Sequence, residues 1–488
     1  MANRRKSRLI LTTAAIILVA LLLSPFLGYA NLGGVMSVSA AGPTTRFIYL
    51  PVVMKGYPPP ITSTIFGIEL HQIDTGGGLY QMAAANTSFV RRNAVVWSSI
   101  ETTQGTYNWS SMAALETELK NAYSNGMQVV LIVRSTPQWA RKVAGTGSTC
   151  GPIAANKMAA FGNFMNALVK RYSVAPYNVK YWEMWNEEDG PQITGDNIWG
   201  CWGDPTDNNY YGGGYYANML KAAYPQIKAA DSQAQVLVGG LLLDCDPRAN
   251  AGCSIVGHDA RPAKFLEGIL NNGGGPYFDG VSFHAYEYYQ GGLGVYSNAN
   301  WQTAWNTTGP VVVAKAQYIK DLLNTYHVTG KYLMNTESAI LDYCPNDVCT
   351  GGQTYESTKA YYITEVNAAA LAKGLRANIW YDVFGWNGSG LLNGNLSPLP
   401  AYTAFSFGRR ELSTAVYVRD ITEYTGVKGY EFNRGDRRVW VVWSLDGSTH
   451  TMSLPGVPLA VWDSLGASVT PATSMSVTVK PLYLEWNP

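Results

Sequence analysis

Charge is scarce in this chain and almost evenly balanced. Lys and Arg number 35 against 34 Asp and Glu, and charged residues make up only 14% of the 488. That balance supplies no basic face for a nucleic acid and no field to steer an acidic partner. Histidine is rarer still: there are five, scattered, without the clustered Cys/His spacing of a zinc site. The run Gly76-Gly-Gly78 is not followed by Lys-Ser or Lys-Thr, so it is not a phosphate-cradling loop. Beyond the N-terminus no apolar run is long enough to cross a membrane. The six cysteines fall into three sequence pairs, Cys150 with Cys201, Cys245 with Cys253 and Cys344 with Cys349. Loop-stapling disulfides in an oxidising compartment are the expectation.

The N-terminus points to that compartment. Arg4-Arg5-Lys6 is a positive n-region, Leu9 to Leu23 an apolar h-region, and Gly28-Tyr29-Ala30 or Val38-Ser39-Ala40 a small-residue cleavage site. Residues 1–40 read as a signal peptide, or as an N-terminal anchor, since the apolar run approaches the ~20 residues a span requires. The product is expected to be secreted or held at the cell surface, with membrane contact only if the segment stays uncleaved. Residues 41–62, bounded by Gly42-Pro43 and Pro58-Pro-Pro60, read as an extended linker around a strand-like patch, Phe47–Met54.

What the chain has in quantity is aromatic residues, 12% of the total, including 15 Trp and 32 Tyr. Such rings fill cores, and they also stack on the apolar faces of sugars. From Ile65 onward a strand-then-helix rhythm repeats. The strand segments are Ile65–Leu70, Phe89–Val96, Gln128–Val133, Val179–Met184, Gln235–Gly240, Asp279–Phe283, Tyr332–Asn335 and Ala377–Asp382. Most are nearly continuous apolar runs, as parallel strands covered on both faces require. Between them lie helical stripes: Met112, Leu115 and Leu119 after a capping Ser111; Met158, Phe161, Met165, Leu168 and Tyr172; Tyr216, Leu220, Ala223 and Ile227. Eight such units over residues 63–410 predict a (β/α)8 barrel, whose chemistry must sit at the strand C-terminal ends. After Tyr402 the rhythm turns to short strands and tight turns: Val416–Val418, Val427–Phe432, Arg438–Trp443, Met452–Leu454, Leu459–Val461 and Ser476–Tyr483. Residues 411–488 therefore read as a small antiparallel, sandwich-like β-domain. Its Arg434-Gly-Asp436 is expected to be a hairpin turn. Its Trp440, Trp443, Trp462 and Trp486 are expected to pack it against the barrel.

The fourth strand, Val179-Lys-Tyr-Trp-Glu-Met-Trp, ends in Asn186-Glu187-Glu188-Asp189, and the seventh, Lys331-Tyr-Leu-Met-Asn-Thr, in Glu337. Two carboxyl groups on two strand ends are the minimum kit for breaking a glycosidic bond. One must be protonated to help the leaving oxygen depart, the other ionised to attack the sugar. Glu183 is a third carboxylate, but inside the strand a structural salt bridge is the expectation.

Several motifs together carry a resemblance. Phe89-Val-Arg-Arg92 is followed by Trp97 and Ile100-Glu101, then by Gly105-Thr-Tyr-Asn-Trp109. Trp185-Asn186-Glu187, Ser282-Phe-His284-Ala-Tyr286 and Asn335-Thr-Glu337 come after it in barrel order. The chain resembles the clan A glycoside hydrolases, near the xylosidase–iduronidase family (thirty-nine) or the cellulase family (five). The resemblance implies a retaining enzyme working through a covalent glycosyl-enzyme intermediate, with a carbohydrate substrate and no metal or organic cofactor. It assigns Glu187 as acid/base, held protonated by its neighbour's charge and low polarity, and Glu337 as ionised nucleophile, supported by Tyr286 and a strand-two arginine. Spacing to Trp97 favours Arg92 over Arg91. Asn186 is expected at the sugar 2-hydroxyl, His284 beside the acid/base, and Trp380, or else Trp386, as platform beneath the reacting sugar. Glu69, His71 and Trp139 are further candidates for substrate contact. The chain departs from the clan in carrying Glu188 where Pro usually follows the acid/base; that carboxylate is expected either to repel the acid's charge or to point at water. Cys150–Cys201 would tie the third and fourth loops at the rim, with Trp199 and Trp202 as a subsite wall. A barrel that binds carbohydrate without turnover and a transglycosylase share these residues and stand as alternatives.

Overall fold

The computed structural model describes residues 64–143, 151–191, 199–243, 246, 248, 261–296, 305, 309–344 and 349–488. The segments read as signal or anchor and as linker, and Cys150, Cys245 and Cys253, lie outside the described residues. Parallel strands close into a barrel in chain order: β1 (Phe66–Glu69), β2 (Phe89–Val96), β3 (Gln128–Arg134), β4 (Tyr181–Asn186), β5 (Gln235–Leu241), β6 (Gly280–Tyr288), β7 (Tyr332–Leu341) and β8 (Ala377–Trp380). β8 pairs back on β1 through Gly67↔Ile379. The expected segments fall on these strands, but β6 and β7 run further. Their ladder continues through Tyr286↔Ala339 to Tyr288↔Leu341, beyond the last β5 partner at Phe283 and the last β8 partner at Ser338. They leave the barrel as a two-stranded ribbon.

Strand side chains alternate between the barrel interior and the helical layer. Phe89, Val130, Tyr181, Leu237, Met334, Ala377 and Ile379 share one parity and fill the interior with an apolar plug. The opposite parity, including Val90, Leu131, Trp182 and Val238, joins the larger core beneath the helices. Two residues beyond Phe89 and Tyr181 the interior turns polar, with Arg91 and Glu183 both fully buried. The plug is the floor on which the polar site stands.

The helices are α1 (Leu79–Ala84), α2 (Trp97–Ile100), α3 (Ala113–Ser124), α4 (Met158–Tyr172), α5 (Gly213–Ala230), α6 (Phe265–Asn271), α7 (Val312–Thr325), α8 (Gly352–Ala372) and α9 (Pro400–Leu412). All three apolar stripes are buried. Truncating one such side chain, Leu168→Ala for example, would cost about 2–5 kcal/mol. Ser111 does not cap α3: it lies in a 3-10 turn, Trp109–Met112, and its hydroxyl donates to the Asn108 carbonyl. Among the described residues no helix is long and apolar enough to cross a membrane.

The C-terminal strands are β9 (Val416–Ile421), β10 (Val427–Asn433), β11 (Arg438–Ser444), β12 (His450–Ser453), β13 (Ala460–Asp463), β14 (Ser468–Val469), β15 (Ser474–Val477) and β16 (Leu482–Trp486). They form an antiparallel sheet in the order β14-β13-β16-β11-β10-β9 and a separate β12–β15 pair. The single strand expected over Ser476–Tyr483 is two, divided at Lys480-Pro481, because proline cannot donate to a ladder. One face of the large sheet, with Tyr430, Phe432, Val439, Val441, Trp443 and Tyr483, is continuous with the barrel's own core. Trp462 sits against Phe407 of α9, ring centroids 6.2 Å apart. The other face, with Val442, Leu484, Trp440 and Trp486, closes over Met452 and Met475 in a private core. Trp440 and Trp486 therefore pack on each other, 5.0 Å apart, and not against the barrel. Arg434-Gly-Asp436 is the β10–β11 turn, its arginine paired with Asp436 and with Glu411 of α9.

Candidate active site

Arg91 organises the mouth of the barrel. Its Nε donates to Glu183 at 2.7 Å, and one terminal nitrogen donates to Glu69 at 2.6 Å and to Glu337. The other donates to Asn186 Oδ1 at 2.5 Å. Burial opposes its charge, but Glu183, Glu69 and Glu337 outweigh burial and push its pKa well above the ordinary arginine value. Glu183 also accepts from Ser282 at 2.7 Å and Thr336 at 2.9 Å, the contacts of a structural carboxylate.

Arg92, the arginine favoured by spacing, has the opposite parity. Its guanidinium is gripped by Glu118 of α3 through bonds of 2.6 and 3.0 Å, and the residue borders the cavity. The reason is a register shift in β2 between Asn93 and Val95. Counting back from Trp97 across that irregularity inverts the parity, whereas Phe89 and Arg91, two apart, share the inward face.

Glu187 and Glu337 meet across His284. Strand β4 ends with Trp185 at φ 72° and Glu187 at φ 50°, both left-handed for non-glycine residues. Each costs about 1–3 kcal/mol, and such strain persists only where surrounding contacts hold it. Here Glu187 N donates to the Gly240 carbonyl at 3.0 Å, and Gly190 N donates to the Glu187 carbonyl at 2.8 Å. His284 Nδ1 lies 2.9 Å from Glu187 Oε1 and 3.5 Å from Glu337 Oε2. Burial above all pushes the imidazole down to about 4, so it is neutral over the physiological range. Nε2 has no hydrogen-bond partner and faces Gly240, where an added Cβ would stand 2.0 Å away. The proton therefore belongs on Nδ1, facing the carboxylates. Tyr286 donates its hydroxyl to Glu337 Oε2. One oxygen of Glu187, one of Glu337 and a nitrogen of His284 all lie within 4.8 Å of one another. That trio has the spacing of cation ligands, but Arg91 already supplies the countercharge to Glu337.

Around this pair opens a cavity of about 700 Å³, lined by Glu69, His71, Arg92, Asn93, Asn186, Glu187, Trp199, Leu242, Tyr286, Tyr288, Glu337, Tyr381 and Trp386. Glu69 closes β1; burial first, then repulsion from Glu337 and Asp382 against the pull of Arg91, push its pKa up to about 8. His71 Nε2 is 2.9 Å from Asp382, and that hydrogen bond raises its pKa. Asp189 accepts from Leu242 N and Leu243 N, each at 2.9 Å, pinning the β4 loop to the β5 loop. Burial pushes that carboxyl up to about 7.

Four expectations are corrected. Trp380 is 1% exposed, donates its indole N–H to the Ser389 carbonyl and lies against Tyr362 of α8. Asn378, of the same parity, bonds Asn367 of α8, so this side of β8 faces the helices while Tyr381 turns into the cavity. Trp386, 54% exposed, is the wide aromatic face at that end of the cavity. Trp139 is turned away from the lining: its ring stands edge-on to Trp97 and its N–H meets the Glu101 carbonyl. Trp202 is buried between Trp185 and Tyr216, leaving Trp199 alone of that pair in the wall. Glu188 neither points at water nor faces the acid. It is fully buried against Gly239, where a Cβ would fall 2.2 Å from its Oε2, and burial followed by Asp189 pushes its pKa well up. The residues that sequence reasoning passed over are Arg91, Tyr381, Tyr288 and Asp382. Strand parity counted from Phe89 and from Ile379 would have found the first two.

Cys344 and Cys349 are bonded to each other, so their sulfurs offer no thiolate to the nearby Asp342. Cys201 is also in a disulfide; Cys150, its expected partner, lies outside the described residues.

No protein-family model matches the sequence, and no curated protein sequence matches it. Solved structures do. A family 39 glycoside hydrolase from the gut symbiont Bacteroides cellulosilyticus WH2 superposes with a TM-score of 0.63 at 16% identity, covering 86% of this chain and 80% of that one. A GH30 endoxylanase from Clostridium papyrosolvens C71 gives 0.56 at 14%, covering 88% and 98%. A family 51 α-L-arabinofuranosidase from Bifidobacterium longum gives 0.53 at 13%, covering 88% and 97%. At such identities the likeness concerns the backbone, and on that ground the chain has the fold of the clan A glycoside hydrolases: a closed (β/α)8 barrel followed by an antiparallel β-domain.

Proposed function

We propose that this chain is an exported, retaining glycoside hydrolase. The observation that carries the reading is the approach of Glu187 and Glu337, with one oxygen of each inside 4.8 Å. Retaining pairs stand about 5–5.5 Å apart, whereas inverting pairs need ~6.5–9.5 Å to admit a water. Glu337, anchored by Arg91 and Tyr286, attacks the anomeric carbon as Glu187 passes its proton to the departing oxygen. A water then enters, Glu187 takes its proton, and the new hydroxyl displaces Glu337 from the sugar. His284 holds Glu187 through its Nδ1 proton and, fully buried, acts as a positioning residue. Asn186, with Oδ1 taken by Arg91, meets the sugar 2-hydroxyl as a donor. Export is supported by the basic-then-apolar N-terminus and by the bonded cysteines.

The test is chemical rescue. Glu337→Ala should lose activity on aryl glycosides by at least about 10⁴-fold and regain it with azide, giving a glycosyl azide of inverted configuration. Rescue of Glu187→Ala should give retained configuration. Inverted product from the wild-type protein would remove the covalent step, and no turnover across a broad glycoside panel would favour the non-catalytic barrel.

A further inference from the structure

The cavity wall is rich in acid, and its positive charges are already spoken for. Glu69, Glu187 and Glu337 line it, Asp382 stands behind His71, and Glu183 lies beneath Arg91. Arg91 is buried among Glu69, Glu183, Glu337 and Asn186. Arg92, the only Lys or Arg in the lining among the described residues, is held by both oxygens of Glu118. His71 is taken by Asp382. Burial and neighbouring carboxylates already keep a proton on Glu69 up to about pH 8, so further negative charge has no welcome there.

Between the strands, the sequence outside the described residues is poor in lysine and arginine. Residues 144–150, 192–198, 297–304, 306–308 and 345–348 contain no Lys and no Arg, nor do the undescribed positions between 244 and 260. They hold instead Asp196, Asp244, Asp259 and Asp347. They follow β3, β4, β5, β6 and β7 in the chain.

Resting on the hydrolase reading, we propose that the site takes an uncharged glycosyl unit and rejects the uronic acid of the same shape. A carboxylate on the sugar ring would lose its hydration inside the cavity without gaining a cation, and would face the Glu337 carboxylate. Burying an unpaired charge and opposing like charges both select against it. Hydroxyl groups, by contrast, can donate to the carboxylate-rich wall while the ring faces lie on Trp386, Trp199 or Tyr381.

Matched aryl glycosides decide the matter on the full chain: glucoside against glucuronide, galactoside against galacturonide, idoside against iduronide, in both anomers. The neutral member of whichever pair reacts should exceed its uronide in kcat/KM by at least about 100-fold. A uronide turned over within tenfold of its neutral partner, or better than it, overturns the proposal. Should no glycoside react, the hydrolase reading fails, and calorimetry with neutral xylo- and gluco-oligosaccharides against oligogalacturonate still reads charge selection. Binding of the neutral set alone sustains it; binding of the uronate, or of neither, overturns it.

Discussion

Replacing Arg91 by Met tests whether one guanidinium holds the mouth of the barrel together. The substitution keeps most of the side-chain volume but removes the charge shared by Glu69, Glu183 and Glu337, along with the bond to Asn186. Removing one partner of a buried ion pair costs about 3–5 kcal/mol, because the charge left behind is unpaired. With Glu183 and Glu337 both losing their partner, the upper end applies at neutral pH. The sign of the pH dependence follows. Without Arg91 the folded chain must keep these carboxyls protonated, so it binds more protons than the unfolded chain, and its stability falls as pH rises above the ordinary carboxylate range. Urea unfolding of wild type and variant at pH 5 and pH 8 should show a deficit of roughly 3–5 kcal/mol at pH 8 that shrinks by at least half at pH 5. Arg91→Lys should recover most of the stability, because the charge returns. It should still lose about 100-fold in kcat, because an ammonium cannot fork to Glu337 and Asn186 at once. An Arg91→Met deficit equal at both pH values, or larger at pH 5, would refute the electrostatic account.

Glu69→Gln should act in the opposite sense. The folded-state pKa of Glu69 is raised to about 8 from 4.5, so wild-type stability declines as pH climbs through that window. The glutamine variant should gain on the order of 1–3 kcal/mol relative to wild type between pH 5 and pH 8, with no gain at pH 4, as read by urea midpoints. Gly240→Ala should leave the barrel folded by circular dichroism yet reduce kcat by about 100-fold, since the new methyl must displace His284 from Glu187; unchanged kcat would remove the positioning role. Deleting residues 411–488 should yield insoluble protein, because it bares Phe407 and the rest of the core shared with the sheet. A soluble, active truncated barrel that had lost only its retention on insoluble polysaccharide would make the domain a binding module instead.

The barrel was legible because its strands are apolar runs of the right length, separated by stripes with helical period. Asn186-Glu187 and Glu337 stood out as polar groups closing apolar segments. Two of the errors share one cause: period-2 alternation was not followed through irregularities. The shift at Asn93–Val95 reversed Arg91 and Arg92, and the outward face of β8, tied to α8 by Asn378, took Trp380 with it. Trp139 and Trp202 failed for another reason. They lie in loops, where composition says that a ring is present but not which way it turns, and only contacts with Trp97 and Tyr216 settle that. Glu188 was expected beside the acid or at water because a buried carboxyl against a glycine leaves no trace in a single sequence. Strands β6 and β7 outran their expected ends because Tyr286 to Tyr288 pairs with residues beyond Glu337, a register that local composition does not encode.

The sheet of the C-terminal domain has a private core on one face and a core in common with the barrel on the other. A body joined in that way cannot swing. Hinge motion would tear Tyr430, Phe432 and Tyr483 from their neighbours, at a cost of roughly 1.5–3 kcal/mol for each large side chain bared. The domain is therefore no lid, and its position does not answer to ligand in the cavity. Heat should melt barrel and sheet in one calorimetric transition, with the β12–β15 pair, outside the common core, the first part to exchange its amide hydrogens.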